Sequence, residues 1–435
     1  MLRIRPSILI VLSFLIVITL GGILLSLPIS SRQGVYTNFL DAYFTSNSAT
    51  CVTGLVTLDT GVHFSLFGLV VIMFLMQVGG LGYMTISTLL VLVFRKRMFI
   101  SEKLMIMEAL NIYSLKDVLT VLKKIVGIVF LVEGLGALIL FLRFLPEKGA
   151  AEALLYGVFH SISAFNNAGF ALPPNFANLS PYVTDWVVNL TITSLIIIGG
   201  IGFLVIADLL QFKRWSLHSK LAISTTLVLI IGGTAAYLLL EYNNTLAPLA
   251  FQHKVLASYF QAVTPRTAGF NTLDMGKLLP ASSLIIMLLM FIGASPGGTG
   301  GGIKTTTFAL VWSTIFATLK NSRDTILFNR RVPAETVRRA FTITLLGMIT
   351  VAVPVFLLTQ TENFGLTQLA FETISAFGTV GLSMGITPFL SSIGKIIIIV
   401  TMFIGRVGPL TLLLALAVSH KEKRIEPPKE GVSIG

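Results

Sequence analysis

One short segment, Thr50-Cys51-Val52-Thr53-Gly54-Leu55, has three weaker copies further along the chain. They are Asn166-Asn167-Ala168-Gly169-Phe170, Arg266-Thr267-Ala268-Gly269-Phe270 and Gly378-Thr379-Val380-Gly381-Leu382. In every copy the glycine is followed by a large apolar residue, and an aromatic stands ten positions before it: Phe44, Phe159, Tyr259 and Phe371. A Ser-Ala pair lies six and five positions before the glycine in three copies (Ser48-Ala49, Ser163-Ala164, Ser375-Ala376), and the remaining copy has Val263-Thr264 there. The glycines are 115, 100 and 112 residues apart, so the repeating unit is about a quarter of the 435-residue chain. Four like loops around one axis enclose a pore.

The surroundings of these loops are apolar. Hydrophobic residues make up 54% of the chain and charged ones 11%, where a soluble domain carries about 25% charged residues. Runs of helical length recur and strand-like alternation does not, so helices rather than a barrel cross the bilayer. The expected spans are 6–28, 64–94, 118–145, 184–211, 217–240, 281–318 (interrupted), 338–359 and 389–419. The first run is too long for a secretory signal and lacks a small-x-small cleavage site, so it is expected to be retained. A single cysteine, Cys51, excludes an intramolecular disulfide and a cysteine metal cluster.

The net charge of +12 does not point to nucleic acid. Lys and Arg gather at Arg3 and Arg5, in 95–124, at Lys213, Arg214 and Lys220, in 320–339, and from Lys421 onward. Basic clusters alternating with apolar runs follow the positive-inside pattern. They place both termini and three loops in the cytoplasm and require an even number of spans. Eight spans then pair into four helix–pore loop–helix repeats: 1–94, 95–216, 217–319 and 320–435. Within them, the outer segments 29–63, 146–183, 241–280 and 360–388 are long and apolar. Asn38–Phe44 and Leu366–Phe371 read as short amphipathic helices that dip in and return as extended chain. Non-helical backbone at that depth survives only where protein or a water-filled cavity covers it, so the glycine segments are expected to line the pore.

The second helix of each repeat carries its own mark: Gly79-Gly80-Leu81-Gly82, Gly199-Gly200-Ile201-Gly202, Gly297-Gly298-Thr299-Gly300 and Gly405-Arg406-Val407-Gly408. For the first two copies close helix packing through small residues is the favoured reading. The third lies in Ala294-Ser295-Pro296-Gly297-Gly298-Thr299-Gly300-Gly301-Gly302-Ile303-Lys304, too rich in glycine and proline for ordinary helix. A broken helix just below the filter is read as a mobile constriction.

A cation entering a narrow pore sheds water, and inward-pointing carbonyl oxygens replace that shell. Backbone aimed this way visits dihedrals that suit glycine. No Asp or Glu lies in the four glycine segments. Neutral carbonyls therefore do the coordinating, which favours a monovalent cation over calcium. The expected ion-binding residues are Cys51, Val52, Thr53 and Gly54; Asn166, Asn167, Ala168 and Gly169; Arg266, Thr267, Ala268 and Gly269; Gly378, Thr379, Val380 and Gly381. The expected gate is Ala294 to Gly302 with Lys304 and Arg406.

These segments together resemble the Trk/Ktr/HKT superfamily of potassium transporters over nearly the whole chain, and the length and start are closer to KtrB-type membrane subunits. The resemblance implies an all-α membrane protein around a pseudo-four-fold pore and potassium uptake through it, with sodium as a further activator left open. It also implies a gating loop matching Ala294–Lys304, a gating arginine matching Arg406, a homodimer, and a cytosolic ring of RCK-type nucleotide-binding regulatory subunits. Docking candidates for that ring are 95–103, 320–331 and the basic tail, which compete with anionic membrane lipids for the same charges. The implied location is a bacterial plasma membrane. A carrier-type sodium/potassium symporter with alternating access is the alternative.

Several polar residues stand inside apolar runs. Arg406 is expected either to raise the barrier to cations or to pair with a carboxylate or freed carbonyls, since a charge there costs at least about 2.5 kcal/mol. Lys304 either ties the loop to the following helix or approaches the cytoplasmic face. Glu133 is expected to form a structural ion pair, His160 and Glu372 to act as packing or polar anchors, and Asp59 and Asp208 to be solvated. No catalytic set, metal-ligand spacing or phosphate loop suits an enzyme.

Overall fold

The computed structural model describes residues 6–93, 118–210, 215–322, 324–409 and 411–412. The first repeat contains α1 (Pro6–Ser26), a pore helix α2 (Phe39–Thr50), the short α3 (Thr60–His63) and α4 (Leu66–Val93). In the second, α5 (Val118–Phe165) carries both the first span and the pore helix, turning at Gly149 where φ is +73°. It is followed by α6 (Trp186–Gly200) and α7 (Phe203–Leu210). The third holds α8 (Leu217–Glu241), pore helix α9 (Phe251–Val263), α10 (Pro280–Phe291) and α11 (Thr305–Leu319). A two-residue hairpin, β1 (Ile326–Leu327) with β2 (Arg330–Arg331), leads to α12 (Ala334–Thr361), pore helix α13 (Leu366–Gly378) and α14 (Ser392–Val407).

Short polar residues start these helices by occupying their free N–H groups. Asn38 caps α2, Asp185 caps α6, Ser216 caps α8 and Ser391 caps α14. Contacts between repeats then close a circle. The first meets the second through α4 and α5, the second meets the third through α6 and α9, the third meets the fourth through α10 and α13, and α14 returns to α2. The exterior is apolar. Leu227, Val228, Ile231 and Leu239 on α8, and Leu345, Met348 and Phe356 on α12, are all exposed. An apolar face of this extent suits lipid rather than water. Phe44, Phe159 and Phe371 are fully buried behind the loops. In the third repeat Tyr259 is only partly covered, and Phe260 is the fully buried ring.

One expectation is corrected. Spans 64–94 and 184–211 were expected to be continuous, with a break only in the third repeat, yet the second helix is interrupted in every repeat. Helix α4 leaves helical geometry at Gly82 (φ +72°), α6 and α7 meet at a 98° bend beside Gly202 (φ +98°), and α14 stops before Gly408 (φ +90°). In the first, second and fourth repeats the last glycine of the Gly-Gly-x-Gly mark therefore serves as a left-handed break, whereas in the third the positive φ falls on Gly297 and Gly302. Among the described residues, the helices long and apolar enough to cross a membrane are Lys124–Phe165, which turns at Gly149, Leu217–Glu241 and Ala334–Thr361. Arg3, Arg5, segment 95–103, the end of the last expected span and the tail from Lys421 lie outside the described residues.

Candidate functional site

The four glycine segments meet as a ring. Gly54, Gly169, Gly269 and Gly381 all have φ between +73° and +95°. A Cβ on any of them would come closer than 3.0 Å to a carbonyl oxygen of the next repeat. The pairs are Gly54 with Ala168, Gly169 with Ala268, Gly269 with Val380, and Gly381 with Thr53. This order runs round all four repeats and returns to the first. Two positions earlier, Val52, Asn167, Thr267 and Thr379 also have positive φ, an outlier conformation for β-branched residues. All four are fully buried, so surrounding packing holds the strain. That second left-handed residue escaped the sequence reading because its side chain varies between copies: Val52, Asn167, Thr267 and Thr379.

Hydroxyls at the pore-helix ends fix the ring. Ser48 and Ser375 Oγ accept from the backbone N–H of Gly54 and Gly381, each at 3.0 Å. Ser163 Oγ donates to the Phe170 carbonyl at 2.8 Å, and Thr264 Oγ1 donates to the Phe270 carbonyl at 2.5 Å. The Ser-Ala mark and its Val263-Thr264 variant are thus one brace, with the hydroxyl moved by a single position in the third copy. Small residues let the second helices press against the pore helices from behind. Cβ atoms on Gly79, Gly199 and Gly405 would collide with the carbonyls of Thr50, Phe165 and Phe377, each four residues before its filter glycine.

Residues three positions before the glycine anchor outward. Cys51 is buried and its Sγ lies 3.7 Å from Asn47 Oδ1. Arg266 is buried, donates from Nη2 to Thr226 Oγ1 at 3.0 Å, and its carbonyl accepts from Asn167 Nδ2 at 3.3 Å. A Cβ at Gly378 would meet the Met290 carbonyl. Asn166 joins a buried network in which its Nδ2 donates to Glu133 Oε1 at 2.9 Å and to Gln77 Oε1 at 3.0 Å, while Gln77 Nε2 donates to Glu133 Oε2 at 3.2 Å. Glu133 was expected to form an ion pair. Its partners are neutral amides, drawn from two repeats that only the closed ring brings together.

The interrupted helix of the third repeat packs against the glycine ring. The chain leaves α10 at Ile292 and returns to pair Ile292 with Ile303, and Gly293 N–H donates to the Ile303 carbonyl at 2.8 Å. Between these points it is sutured to its neighbours. Ser295 N–H donates to the Gly200 carbonyl at 2.9 Å, Thr299 N–H donates to the Gly199 carbonyl at 3.2 Å, and Gly297 accepts from Phe203 N–H at 3.1 Å. Gly301 N–H donates to Thr379 Oγ1 at 3.0 Å. Cβ atoms on Gly300 and Gly301 would strike Thr267 and Thr379, so the loop touches the glycine ring itself. Lys304 Nζ donates to the Gly300 carbonyl at 2.6 Å and to that of Gly301 at 3.4 Å, the first of its two expected roles. Arg406 donates from Nη1 to the Thr299 carbonyl and from Nη2 to the Gly79 carbonyl, with Gly80 at 3.5 Å. Its partners are freed carbonyls, one of the pairings expected for it, and one side chain thereby ties repeats one, three and four.

The remaining polar residues are anchors. His160 shares a hydrogen bond with the Tyr156 carbonyl through Nδ1 at 2.8 Å and accepts from Leu172 N–H at 3.3 Å. Glu372 accepts from Ser383 and Thr387. Asp59 and Asp208 do more than face water. Asp59 caps α3 and accepts from Phe176 N–H at 3.2 Å, and Asp208 accepts from Ser216 and Ser219 hydroxyls at 2.6 and 2.5 Å.

Four pore-loop units closed around a ring of backbone oxygens, with lipid-facing apolar helices outside, define a multi-pass integral membrane protein built about a central pore. The family model for TrkH cation transport proteins matches residues 2–427. The chain is 43% identical to the "Ktr system potassium uptake protein B" of Bacillus subtilis, over 98% of this chain and 96% of that protein. It is 39% identical to the "Potassium/sodium uptake protein NtpJ" of Enterococcus hirae, over 100% of this chain and 98% of that protein. The fold matches the crystal structure of the potassium transporter TrkH from Vibrio parahaemolyticus with a TM-score of 0.76, at 18% identity, covering 94% of this chain and 84% of that one. This chain belongs to the TrkH/Ktr family of cation transport proteins, which are membrane ion transporters.

Proposed function

We propose that this protein takes up potassium through a gated, selective pore, as the membrane subunit of a Ktr-type system in a bacterial plasma membrane. The observation that carries the reading is the closed ring in which each filter glycine lies against the next repeat's carbonyl, leaving neutral oxygens to coordinate the ion. Similarity to relatives named for potassium uptake supports the choice of ion. Selectivity resides in Val52–Gly54, Asn167–Gly169, Thr267–Gly269 and Thr379–Gly381. Ala294–Gly302 with Lys304 and Arg406 forms the gate.

The word "system" in a relative's name supports a second, regulatory component. A homodimer resting on a cytosolic RCK-type ring, both termini in the cytoplasm, and sodium as an activator complete the proposal. The test is growth of an uptake-deficient bacterium at limiting potassium. Wild type restores growth, and Gly54→Ser restores less while admitting more sodium, because its Cβ meets the Ala168 carbonyl. Failure of wild type to restore growth refutes potassium uptake, and equal potassium/sodium discrimination in both removes the filter assignment.

A further inference from the structure

The fourth repeat hides a carboxylate that the pore reading leaves unused. Glu372 on α13 is fully buried, and among the described residues no Lys, Arg or His hydrogen-bonds it or pairs with it. Ser383 Oγ donates to its Oε2 at 2.9 Å and Thr387 Oγ1 donates to its Oε1. Ser383 lies two residues past the filter glycine Gly381. Both residues also line a cavity of about 230 Å³ bounded by Gly54 and Gly381, Asn178 and Asp274. Asp274 is already compensated, by Gly276 N–H at 2.9 Å and Lys277 Nζ at 3.6 Å. Glu372 has hydroxyl partners but, among the described residues, no counter-charge.

A hydroxyl has one proton and two lone pairs. Ser383 and Thr387, whose oxygens lie 3.0 Å apart, direct protons at Glu372. Ser383 Oγ also accepts from Gly385 N–H at 3.0 Å, so it keeps one lone pair for the cavity beside those of Thr387 Oγ1. A buried carboxylate left without a counter-charge is costly, and a cation in the adjoining cavity supplies one. The volume leaves room for an ion with part of its water shell, a water's share of liquid volume being about 30 Å³.

We propose that this cavity is a cation site distinct from the four-carbonyl filter. It takes a partly hydrated monovalent alkali cation, held through the Ser383 and Thr387 oxygens with Glu372 as the buried counter-charge. The proposal rests on the pore reading above and adds a binding step beside the filter.

The competing explanation is that Glu372 only braces the loop that follows the filter. Glu372→Gln separates the two, since glutamine keeps hydrogen bonds to both hydroxyls but loses the charge. The experiment is rubidium-86 uptake into proteoliposomes of the full chain, as a function of external potassium and, in a second arm, of competing sodium. Glu372→Gln is expected to raise the half-saturating potassium concentration about ten-fold, the scale of one lost charge in a wet site, with the maximal rate kept within about two-fold. Thr387→Val, similar in shape but without the oxygen, shifts the curve in the same direction. The arm whose curve moves names the occupant. A Glu372→Gln curve superimposable on wild type, or a fall in maximal rate alone, overturns the site in favour of the brace. If Glu372→Gln is not monodisperse, an unchanged curve for Thr387→Val overturns it equally. No uptake by wild type refutes the pore reading instead.

Discussion

Arg406→Ala tests the gate most directly. The Arg406 guanidinium joins the loop of the third repeat, at Thr299, to the helix break of the first, at Gly79. A hydrogen bond from a charged donor contributes about 1.5–3 kcal/mol. Counting the loop bond alone, the loop's equilibrium between covering and leaving the pathway shifts about 10- to 150-fold toward leaving. The loop does not unravel, because its bonds to Gly199, Gly200 and Thr379 remain. Potassium flux is therefore expected to rise toward a ceiling set by the filter, with potassium/sodium discrimination unchanged. Rubidium-86 uptake into proteoliposomes at equal reconstituted protein measures this. Arg406→Lys separates two causes. Lysine keeps the positive charge but loses the two-pronged donor, so flux stays slow if charge is the barrier and rises if the suture is. Equal or lower flux in Arg406→Ala, at unchanged selectivity, would refute the reasoning.

Three further outcomes are expected. Glu133→Leu strands the amides of Gln77 and Asn166 and lowers stability by about 2–4 kcal/mol, whereas Glu133→Gln keeps most of the network; thermal unfolding in detergent compares them, and equal losses would argue against the network. Gly79→Ala drives a Cβ into the Thr50 carbonyl and abolishes uptake, while Gly82→Ala meets nothing within 4 Å and costs about 1–3 kcal/mol of backbone strain alone, at φ +72° and ψ 154°; uptake and melting temperature of both variants check the contrast. Ser48→Ala leaves the Gly54 N–H without its acceptor, and a fall in potassium/sodium discrimination with the fold intact is expected in uptake competition.

Much of the pathway was legible in the residues. The four glycine segments, their aromatics and their hydroxyls stand at matched spacings, and the two pore helices read from amphipathic pattern, from Asn38 and Leu366, begin there but run on past Phe44 and Phe371 to Thr50 and Gly378. The interruptions at Gly82 and Gly202 were not legible. A Gly-Gly-x-Gly run reads equally well as a packing face or a left-handed break, and only the backbone distinguishes them. Glu133 was misjudged for a related reason: an intramembrane carboxylate suggests a cation, but its partners Gln77 and Asn166 carry no charge to betray them.

Local pattern settled that this chain enters a membrane, that it repeats four times, and which four glycines mark the repeats. Those features follow from short-range rules: apolar side chains against lipid, and glycine where carbonyls turn inward. Ring closure decided the rest. Gly381 lies against Thr53 although they belong to the last and first repeats, and Arg406 reaches across 107 and 327 positions to Thr299 and Gly79. Such pairings leave no trace in local composition, because each needs all four repeats folded around one axis before its two halves come within reach.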